Sequence, residues 1–452
     1  MLIKKNKELA FEQARQSDSR WQECIGSYEG DYKRCIKKGI LKRFDGIIIA
    51  VKDEICVKGY TTTDGLTDEV YQVTKGLNTG RQSRIVTYLL EAGVVIAGKA
   101  NQKPFGLGAT GHNSLFLELS NPYSGKHDTA GSSSGSGVFA VIGGVFAVAT
   151  DAGGSIGMPA AISGAQGIKP TEGKITTEGY DNPAEGLTSI GFIANNYQDL
   201  ARAYLEGSKK YPTAEVLQVL GKVKIGIDPH WFQHCSKSVC SLTLECLDRL
   251  ATVMTKVGNS EPVLKMKYLP DGYEQDLWNT HAALFVHYEA AEKKAFMNNW
   301  GVPAEIRLSL EMGAMLPEGV IQRAQGNQKF LKNHFHTNIF SRVHVIAMPT
   351  TLITAPERIK SHQGELDLPK AYLLSAHTSL ANLTGDPRVT IMCGYDEEGL
   401  PIGLQLMADH DGELLLLRLG AELEKLLAEE LEGYSAWKYR PYFDISASED
   451  DE

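Results

Sequence analysis

Three short runs of mostly apolar residues constrain the fold of this chain more than any other feature. They occupy residues 46–51, 93–99 and 343–349. A run of this length fits a strand that is buried on both faces of a sheet, because hardly any polar residue interrupts it. Residues 84–92 have the spacing of an amphipathic helix, and residues 414–427 have that of a long closing helix. Strands that alternate with helices predict an α/β fold.

The remaining segments continue this alternation and give no sign of a second domain. Residues 1–45 and 194–207 have helical patterns, and residues 387–406 predict two strands around a turn. The apolar segment 138–150 predicts an interior helix or strand. Because no linker or change of composition interrupts the sequence, we predict one domain over residues 1–452.

Composition and charge exclude several classes of protein. Apolar residues make up 42% of the chain and charged residues 22%, so the chain is not disordered. The net charge is −9, partly from an acidic tail at residues 446–452, and no basic block is large enough to indicate a nucleic-acid partner. The longest apolar run is too short for a bilayer span, which needs about 20 residues. Peripheral contact with a membrane stays open.

The cysteines and the N-terminus favour an intracellular protein, either cytoplasmic or peripheral on an internal membrane. The seven cysteines are Cys24, Cys35, Cys56, Cys235, Cys240, Cys246 and Cys393. Their odd number, irregular spacing and lack of a Cys-x-x-Cys motif predict free thiols in a reducing compartment. The first residues also lack the apolar segment of a secretory signal.

Several short motifs match known sites but have the wrong context. Gly106–Gly111 matches G-x-G-x-x-G, yet no strand leads into it. Gly131–Gly135 fits the nucleophile elbow G-x-S-x-G, but no histidine has a distinguishing setting as its partner. The histidine pairs are His230/His234 and His334/His336. No cysteine or carboxylate pattern completes a ligand set around them, and we predict neither a metal nor an organic cofactor.

Two Ser/Gly-rich loops bracket the apolar segment and carry hydroxyl groups suited to nucleophilic chemistry. The loops cover residues 130–137 and 150–160. Upstream, Lys52 directly follows an apolar run, so its side chain is expected to be partly buried. Burial disfavours the ammonium form and makes a neutral amine available as a base. Serine with a desolvated lysine is a known alternative to the Ser-His-Asp triad.

These segments resemble the amidase signature enzymes. The resemblance is dense over residues 45–205 and looser over residues 343–425, and the matching motifs occur in the family's order. The further motifs are Gly98–Asn101, Asn121-Pro122, Gly167–Gly173 and Gly399–Gln405. The resemblance implies a large, mixed and twisted sheet covered by helices on both faces. It also implies hydrolysis of amide C–N bonds through an acyl-enzyme, and residues 208–340 are expected to supply substrate-pocket helices.

The family's Ser–cis-Ser–Lys triad carries over residue by residue. Ser155 matches the nucleophile, Ser132 the bridging cis-serine and Lys52 the base. The resemblance further implies an oxyanion hole made by the backbone N–H groups of Ala152, Gly153, Gly154 and Ser155. Ser133 and Asp151 are expected to support the loops through hydrogen bonds, without a direct role in proton transfer.

Three features of the sequence, one spacing and two residues, depart from the family's pattern. Ser132 and Ser155 are 23 residues apart, one fewer than usual, which could misplace Ser132 and bring Ser133 or Ser134 into its role. The usual arginine after Ser-Ile is Gly157, so a supporting ion pair is expected to be absent. Ala130 replaces the first glycine of its loop.

Within the family, the loops are most similar to plant-type fatty acid amide hydrolases. The similarity lies in Phe44–Gly46, Gly108–Ser114 and Ser132–Ser136. It implies fatty acid amides or N-acylethanolamines as small-molecule substrates, and a homodimer stays open. Two alternatives remain: a glutamine-hydrolysing amidotransferase A-type subunit that needs a partner, and a non-catalytic amidase-like scaffold.

Overall fold

One sheet runs through the described part of the chain. The structure is a computed structural model, and it describes residues 1–117, 119–181, 184, 186–210, 220–270, 272–358 and 366–430. Its eleven strands within these residues are β1 Leu2–Lys4, β2 Ile48–Lys52, β3 Val95–Ala100, β4 Phe146–Asp151, β5 Gln166–Lys169, β6 Ser189–Ala194, β7 Ile225–Ile227, β8 Val263–Lys265, β9 Val345–Pro349, β10 Arg388–Tyr395 and β11 Pro401–Ala408. Their order across the sheet is β1-β3-β2-β4-β6-β5-β10-β11-β9-β7-β8.

The sheet is mixed, as predicted. β2 is parallel to β3 and β4, and β7 is parallel to β8 and β9. Antiparallel pairs join β4 to β6, β6 to β5, β5 to β10, β10 to β11 and β11 to β9. Because β2 and β4 are parallel neighbours, their carboxyl ends lie at the same edge of the sheet. Lys52 and Asp151 are the last residues of these two strands.

Helices cover both faces of the sheet, which confirms the predicted α/β architecture. Those in the described residues are α1 Lys7–Tyr28, α2 Tyr32–Lys37, α3 Asp68–Thr74, α4 Arg84–Ala92, α5 Ser134–Ile142, α6 Gly157–Ser163, α7 Tyr197–Ser208, α8 His230–Gln233, α9 Lys237–Lys256, α10 Tyr273–Glu292, α11 Ala304–Met315, α12 Glu318–His334, α13 Leu368–Ser375, α14 Ser379–Thr384 and α15 Glu413–Glu430. Among these, no helix is long and apolar enough to cross a membrane.

Alternating residues of the strands build a different core on each face. On β2, Ile49 and Val51 face the largest core, which α4, α7, α9 and α15 complete. Ala50 faces the other side, where it packs with Phe139 of α5 and Ala147 of β4. Lys52 has the same alternation as Ala50, so its side chain points towards the α5 face. Further along this face, α10, α12 and α14 cover β9 and β11.

The apolar segment 138–150 contains both a helix and a strand. It holds the end of α5, a turn at Gly143 and Gly144, and most of β4. The sequence alone left the choice between helix and strand open, because every side of this segment is apolar. The acidic tail at residues 446–452 lies outside the described residues.

The structure corrects the expectation that the cysteines are all free thiols. Cys24 near the end of α1 and Cys35 in α2 form a disulfide across 11 residues. Both side chains are fully buried, and Leu41 packs against them in a small separate core. The remaining five cysteines are free. The short turn between α1 and α2 brings the two cysteines together. Cysteine spacing alone does not show this turn, so the sequence did not reveal the pair.

Candidate active site

The three residues matched to the triad lie in one line of hydrogen bonds. The Nζ atom of Lys52 is 2.8 Å from the Oγ atom of Ser132. The Oγ atoms of Ser132 and Ser155 are 2.9 Å apart, which is within hydrogen-bond distance. The peptide bond between Gly131 and Ser132 is cis. Ser155 is 7% exposed and Lys52 is 0% exposed, so the line runs inward from an accessible hydroxyl to a buried amine.

The shortened spacing between the two loops leaves Ser132 in the bridging position. The hydroxyl of Ser133 donates to the carbonyl of Thr150 at 3.3 Å, and that of Ser134 donates to the carbonyl of Asn101 at 3.5 Å. Both hydroxyls therefore anchor the first loop to neighbouring segments. Ser132 alone of these three serines reaches Lys52 and Ser155.

The carboxylate of Asp151 organises the loop that carries Ser155. One oxygen accepts the N–H of Gly154 at 2.8 Å, and the other accepts the N–H of Ile156 at 2.6 Å. The side-chain amide of Asn382 donates to the first oxygen at 2.9 Å. The carboxylate is fully buried, so these charge-assisted bonds fix the turn on both sides of Ser155.

Two glycines of this loop are required by close neighbours. A Cβ atom at Gly153 would lie 2.3 Å from the imidazole of His281. A Cβ atom at Gly154 would lie 2.2 Å from the hydroxyl oxygen of Thr378, and the φ angle of Gly154 is +124°. Only glycine adopts this conformation at low cost and leaves this space. The loop can therefore fold tightly beneath α10 and α14.

The backbone N–H groups of the loop differ in whether they already have an acceptor. The N–H of Gly154 donates to Asp151. The N–H groups of Ala152, Gly153 and Ser155 have no acceptor within the described ranges of the chain. Unpaired N–H groups beside a nucleophile are the donors that a developing oxyanion needs. Of the four predicted donors, Gly154 thus differs from the other three because it already serves the carboxylate.

The ion pair that was expected to be absent is present in the structure. Its cation comes from β10 and not from position 157. Arg388 at the start of β10 pairs through Nη2 with the carboxylate of Asp151. Its Nη1 atom donates to the carbonyl of Thr378 and to the side-chain oxygen of Gln405, both at 3.0 Å. A Cβ atom at Gly157 would lie 3.3 Å from the guanidinium carbon. The missing side chain at Gly157 therefore leaves the room that this guanidinium occupies.

The environment of Asp151 keeps its carboxyl ionised. Burial alone would raise the pKa of this group, but Arg388 and the N–H donors hold the pKa below its usual value. Lys169 on β5 contributes in the same direction. Burial lowers the pKa of the Lys169 amine to about 8, and its Nζ atom donates to the carbonyl of Pro170 at 3.0 Å. Lys169 lies outside the line from Lys52 to Ser155.

Two polar neighbours of Lys52 were not identified from the sequence. The carboxylate oxygen Oε1 of Glu54 is 3.0 Å from Nζ, and the hydroxyl oxygen of Thr150 is 2.8 Å from Nζ. The burial expected for Lys52 is therefore present, but it comes with a negative charge beside the amine. The only sequence signal for Glu54 was its position two residues after the lysine.

Helix α10 forms a wall of the site. Its His281 contacts the carbonyl of Ala152 through Nε2 at 2.7 Å. Burial lowers the pKa of His281, so the ring is neutral and Nε2 carries the donated proton. A Cβ atom at Gly106 would lie 3.5 Å from Ser132 Oγ and 3.8 Å from Phe285 Cζ, which places an aromatic ring near the bridging serine. Both side chains come from the 208–340 segment, in which the sequence identified no pocket-lining residue.

The chain is similar to known proteins both in sequence and in fold. A profile of the amidase family matches residues 27–417. A fatty acid amide hydrolase of Medicago truncatula is 30% identical over 433 residues, which cover 90% of this chain and 68% of the relative. An A-type subunit of glutamyl-tRNA(Gln) amidotransferase from Trichodesmium erythraeum is 28% identical over 441 residues, which cover 89% of this chain and 85% of the relative.

A solved structure shares the fold over almost the whole length. The crystal structure of an amidase superposes with a TM-score of 0.77 at 21% identity, covering 94% of this chain and 91% of that chain. At this identity the likeness concerns the fold alone. The profile, in contrast, spans most of the sequence and includes both serine loops and the lysine strand. The chain therefore belongs to the amidase family of amide-bond hydrolases.

Proposed function

We propose that this protein is a serine hydrolase that cleaves fatty acid amides or N-acylethanolamines through an acyl-enzyme. The observation that carries the proposal is the line from Lys52 through Ser132 to Ser155, with successive distances of 2.8 and 2.9 Å. A hydroxyl becomes a competent nucleophile when a base can accept its proton as it attacks. A buried lysine reached through a second hydroxyl can provide that base.

In the proposed reaction, the proton of Ser155 moves to Ser132 as that serine gives its own proton to Lys52. The Oγ atom of Ser155 attacks the amide carbonyl, and the N–H groups of Ala152, Gly153 and Ser155 stabilise the oxyanion. The same relay then returns the proton to the leaving amine as the C–N bond breaks. Water then attacks the acyl-enzyme as the relay accepts its proton, and the relay returns a proton to Ser155 as the acid is released.

The choice of a long acyl group rests on two kinds of support. Four plant relatives named fatty acid amide hydrolase are 28% to 30% identical to this chain over about nine-tenths of its length. Near the nucleophile, Phe285 and Met158 offer apolar surface, since Met158 Cε would lie 3.0 Å from a Cβ atom at Gly154. Apolar lining with a few polar groups is typical of sites for such ligands. Peripheral membrane contact and a homodimer stay predictions.

The first test is the intact mass of the protein after exposure to a long-chain fluorophosphonate. We expect one stoichiometric adduct, lost in Ser155→Ala and strongly slowed in Ser132→Ala. Ser133→Ala is the matched control, because this neighbouring hydroxyl lies outside the relay, and its adduct should form normally. An adduct that persists in Ser155→Ala would contradict the assigned nucleophile.

Turnover assays separate the proposed substrate from the alternatives. We expect release of fatty acid from a long-chain primary amide or N-acylethanolamine by the protein alone. Ammonia released from glutamine, with long-chain amides left intact, would favour the amidotransferase reading. Absence of both labelling and turnover for every amide tested would favour the non-catalytic scaffold.

A further inference from the structure

Within the residues that the structure describes, the amine of Lys52 has three polar neighbours, and only one of them belongs to the proposed relay. Ser132 Oγ and Thr150 Oγ1 both lie 2.8 Å from Nζ, and Glu54 Oε1 lies 3.0 Å from it. The lysine side chain is 0% exposed, so water does not supply further partners from bulk solvent. The bonding capacity of these groups therefore decides how the amine is oriented.

The hydrogen atoms can be assigned from what each group can donate. Thr150 has one hydroxyl hydrogen, which it donates to Oε1 of Glu54 in a short contact. Thr150 must then accept from Lys52, and the carboxylate of Glu54, which only accepts when ionised, also accepts from Lys52. A neutral amine has two N–H bonds and one lone pair. With both N–H bonds taken, the lone pair faces Ser132.

Glu54 is itself fixed by Gln102, so it can impose this orientation. The backbone N–H of Glu54 donates to the side-chain oxygen of Gln102 at 3.1 Å. The side-chain amide of Gln102 donates back to Oε2 of Glu54 at 3.4 Å. Glu54 and Gln102 are both buried, at 7% and 0% exposure. A buried side chain held at both ends keeps one rotamer, as a positioning residue requires.

We propose that Glu54 is a positioning residue for the catalytic base. With Thr150, it directs the lone pair of neutral Lys52 at Ser132, and its negative charge stabilises the ammonium that forms when the proton arrives. The proposal deepens the proposed function and rests on it. The proton balance is closed: Ser155 gives its proton to Ser132 as Ser132 gives its own to Lys52, the added proton stays on Lys52 beside Glu54 while the tetrahedral intermediate exists, and the relay delivers a proton to the amine as the C–N bond breaks.

The other ionisable groups near Glu54 do not supply the same charge. Burial raises the pKa of Glu289 on α10 to about 8, and the charge of Glu54 adds to this effect, so Glu289 is mostly neutral at pH 7. Burial also raises the pKa of Tyr180 well above its usual value. Lys293 and Asp64 pair with each other at 2.7 Å. Among the described residues, Glu54 is thus the carboxyl group that faces Lys52 directly, at 3.0 Å.

The test uses Glu54→Gln, which keeps the size and an acceptor but removes the charge. We expect kcat to fall by about 10- to 100-fold with KM within about twofold, because the lost interaction belongs to the charged transition state. A carboxylate 3.0 Å from the amine also opposes loss of the proton from the ammonium. Its removal should therefore move the acid limb of the kcat/KM profile to lower pH by about one unit.

A matched control separates this effect from a general loss of buried charge. Glu289→Gln makes the same carboxyl-to-amide change in the same buried region, and we expect its kcat within about twofold of wild type and its acid limb unmoved. Glu54→Asp withdraws the carboxylate by one methylene. This variant should lower kcat yet keep the acid limb near that of the wild type. It replaces Glu54→Gln in the experiment if Glu54→Gln does not fold.

The rate of fluorophosphonate labelling against pH provides a readout that needs no amide turnover. If the wild type is labelled and Glu54→Gln shows the same acid limb, or one moved to higher pH, the role of Glu54 is overturned while the proposed function stands. A loss of rate with an unmoved acid limb would assign Glu54 to packing alone and also overturn the proposal. If the wild type is not labelled at any pH, both proposals fail together.

Discussion

The two ends of the proposed relay each contain a buried carboxylate beside a buried basic side chain. The two pairs differ in whether the basic side chain can lose its proton. At the nucleophile end, Asp151 pairs with Arg388. At the base end, Glu54 pairs with Lys52 at 3.0 Å. Arginine stays protonated in proteins, so the first pair keeps constant charge. Lysine can lose its proton when buried, so the second pair can change charge during a reaction.

The surroundings of the two carboxylates match this difference. Asp151 accepts from the backbone N–H groups of Gly154 and Ile156, so its charge holds a loop in shape. Glu54 accepts from side chains, Lys52 and Thr150 among them. One kind of ion pair thus holds loop geometry at one end of the site, and at the other end it is proposed to serve proton transfer.

The largest expected effect is that of Lys52→Met, which removes the base. We expect kcat to fall at least about 10,000-fold, as for loss of a residue that acts as part of a catalytic unit. The variant also leaves the charge of Glu54 buried without its cation, which should lower the free energy of unfolding by about 3 to 5 kcal/mol. Steady-state kinetics and denaturant unfolding measure the two effects.

The double variant Lys52→Met/Glu54→Gln distinguishes the two losses. Removing the stranded carboxylate should restore most of the stability, because no unpaired charge remains. Activity should stay at the level of the single variant. Recovery of turnover in the double variant would show that Lys52 acts through stability, and the contrast between the two ion pairs would then disappear.

The second prediction concerns Arg388→Met. The stability loss should again be about 3 to 5 kcal/mol, because a buried carboxylate loses its partner. We expect kcat to fall by about 100-fold or less, since the loop is displaced but the relay residues remain. Because the guanidinium of Arg388 occupies the space beside Gly157, the double variant Arg388→Ala/Gly157→Arg should recover part of both losses.

The stability that Arg388 contributes should depend on pH. The pKa of Asp151 is lowered in the folded protein, so the stability from its charge is present above the pKa of the unfolded chain, about 3.9, and is lost as the pH falls. Wild type and Arg388→Met should therefore differ most at neutral pH, and the difference should narrow below about pH 4. A difference independent of pH would contradict the role of Arg388 as counter-charge.

Sequence reasoning selected the three residues of the proposed relay, which the structure brings together, but not the groups that surround them. Lys52, Ser132 and Ser155 lie in short local motifs, and the strands that carry them have continuous apolar patterns. Arg388 reaches Asp151 across 237 residues of sequence. No local pattern encodes such a contact, because it depends on the order of β4, β6, β5 and β10 across the sheet.

The same limit applies to α10 and to the disulfide. His281 meets Ala152 from 129 residues away, on a helix whose sequence has no motif. The pairing of Cys24 with Cys35 depends on the turn between two helices, which an irregular cysteine spacing does not indicate. The glycines at positions 153 and 154 could be recognised from the sequence. Both are required because His281 of α10 and Thr378, just before α14, contact the loop. The resemblance implied an oxyanion hole at these glycines, without the side chains that contact them.

The smallest expected effect is that of Thr378→Val, which tests whether neutral contacts matter at the nucleophile end. The hydroxyl of Thr378 donates to the carbonyl of Gly153 at 2.9 Å and lies 3.1 Å from that of Ser375. Valine keeps the shape and removes this bond, which is worth about 1 kcal/mol, so kcat should fall only about fivefold. No charge changes, so the pH profile of kcat/KM should keep its position. A moved acid limb would mean that loop geometry and proton transfer are coupled, and that the two ends of the relay are not separable.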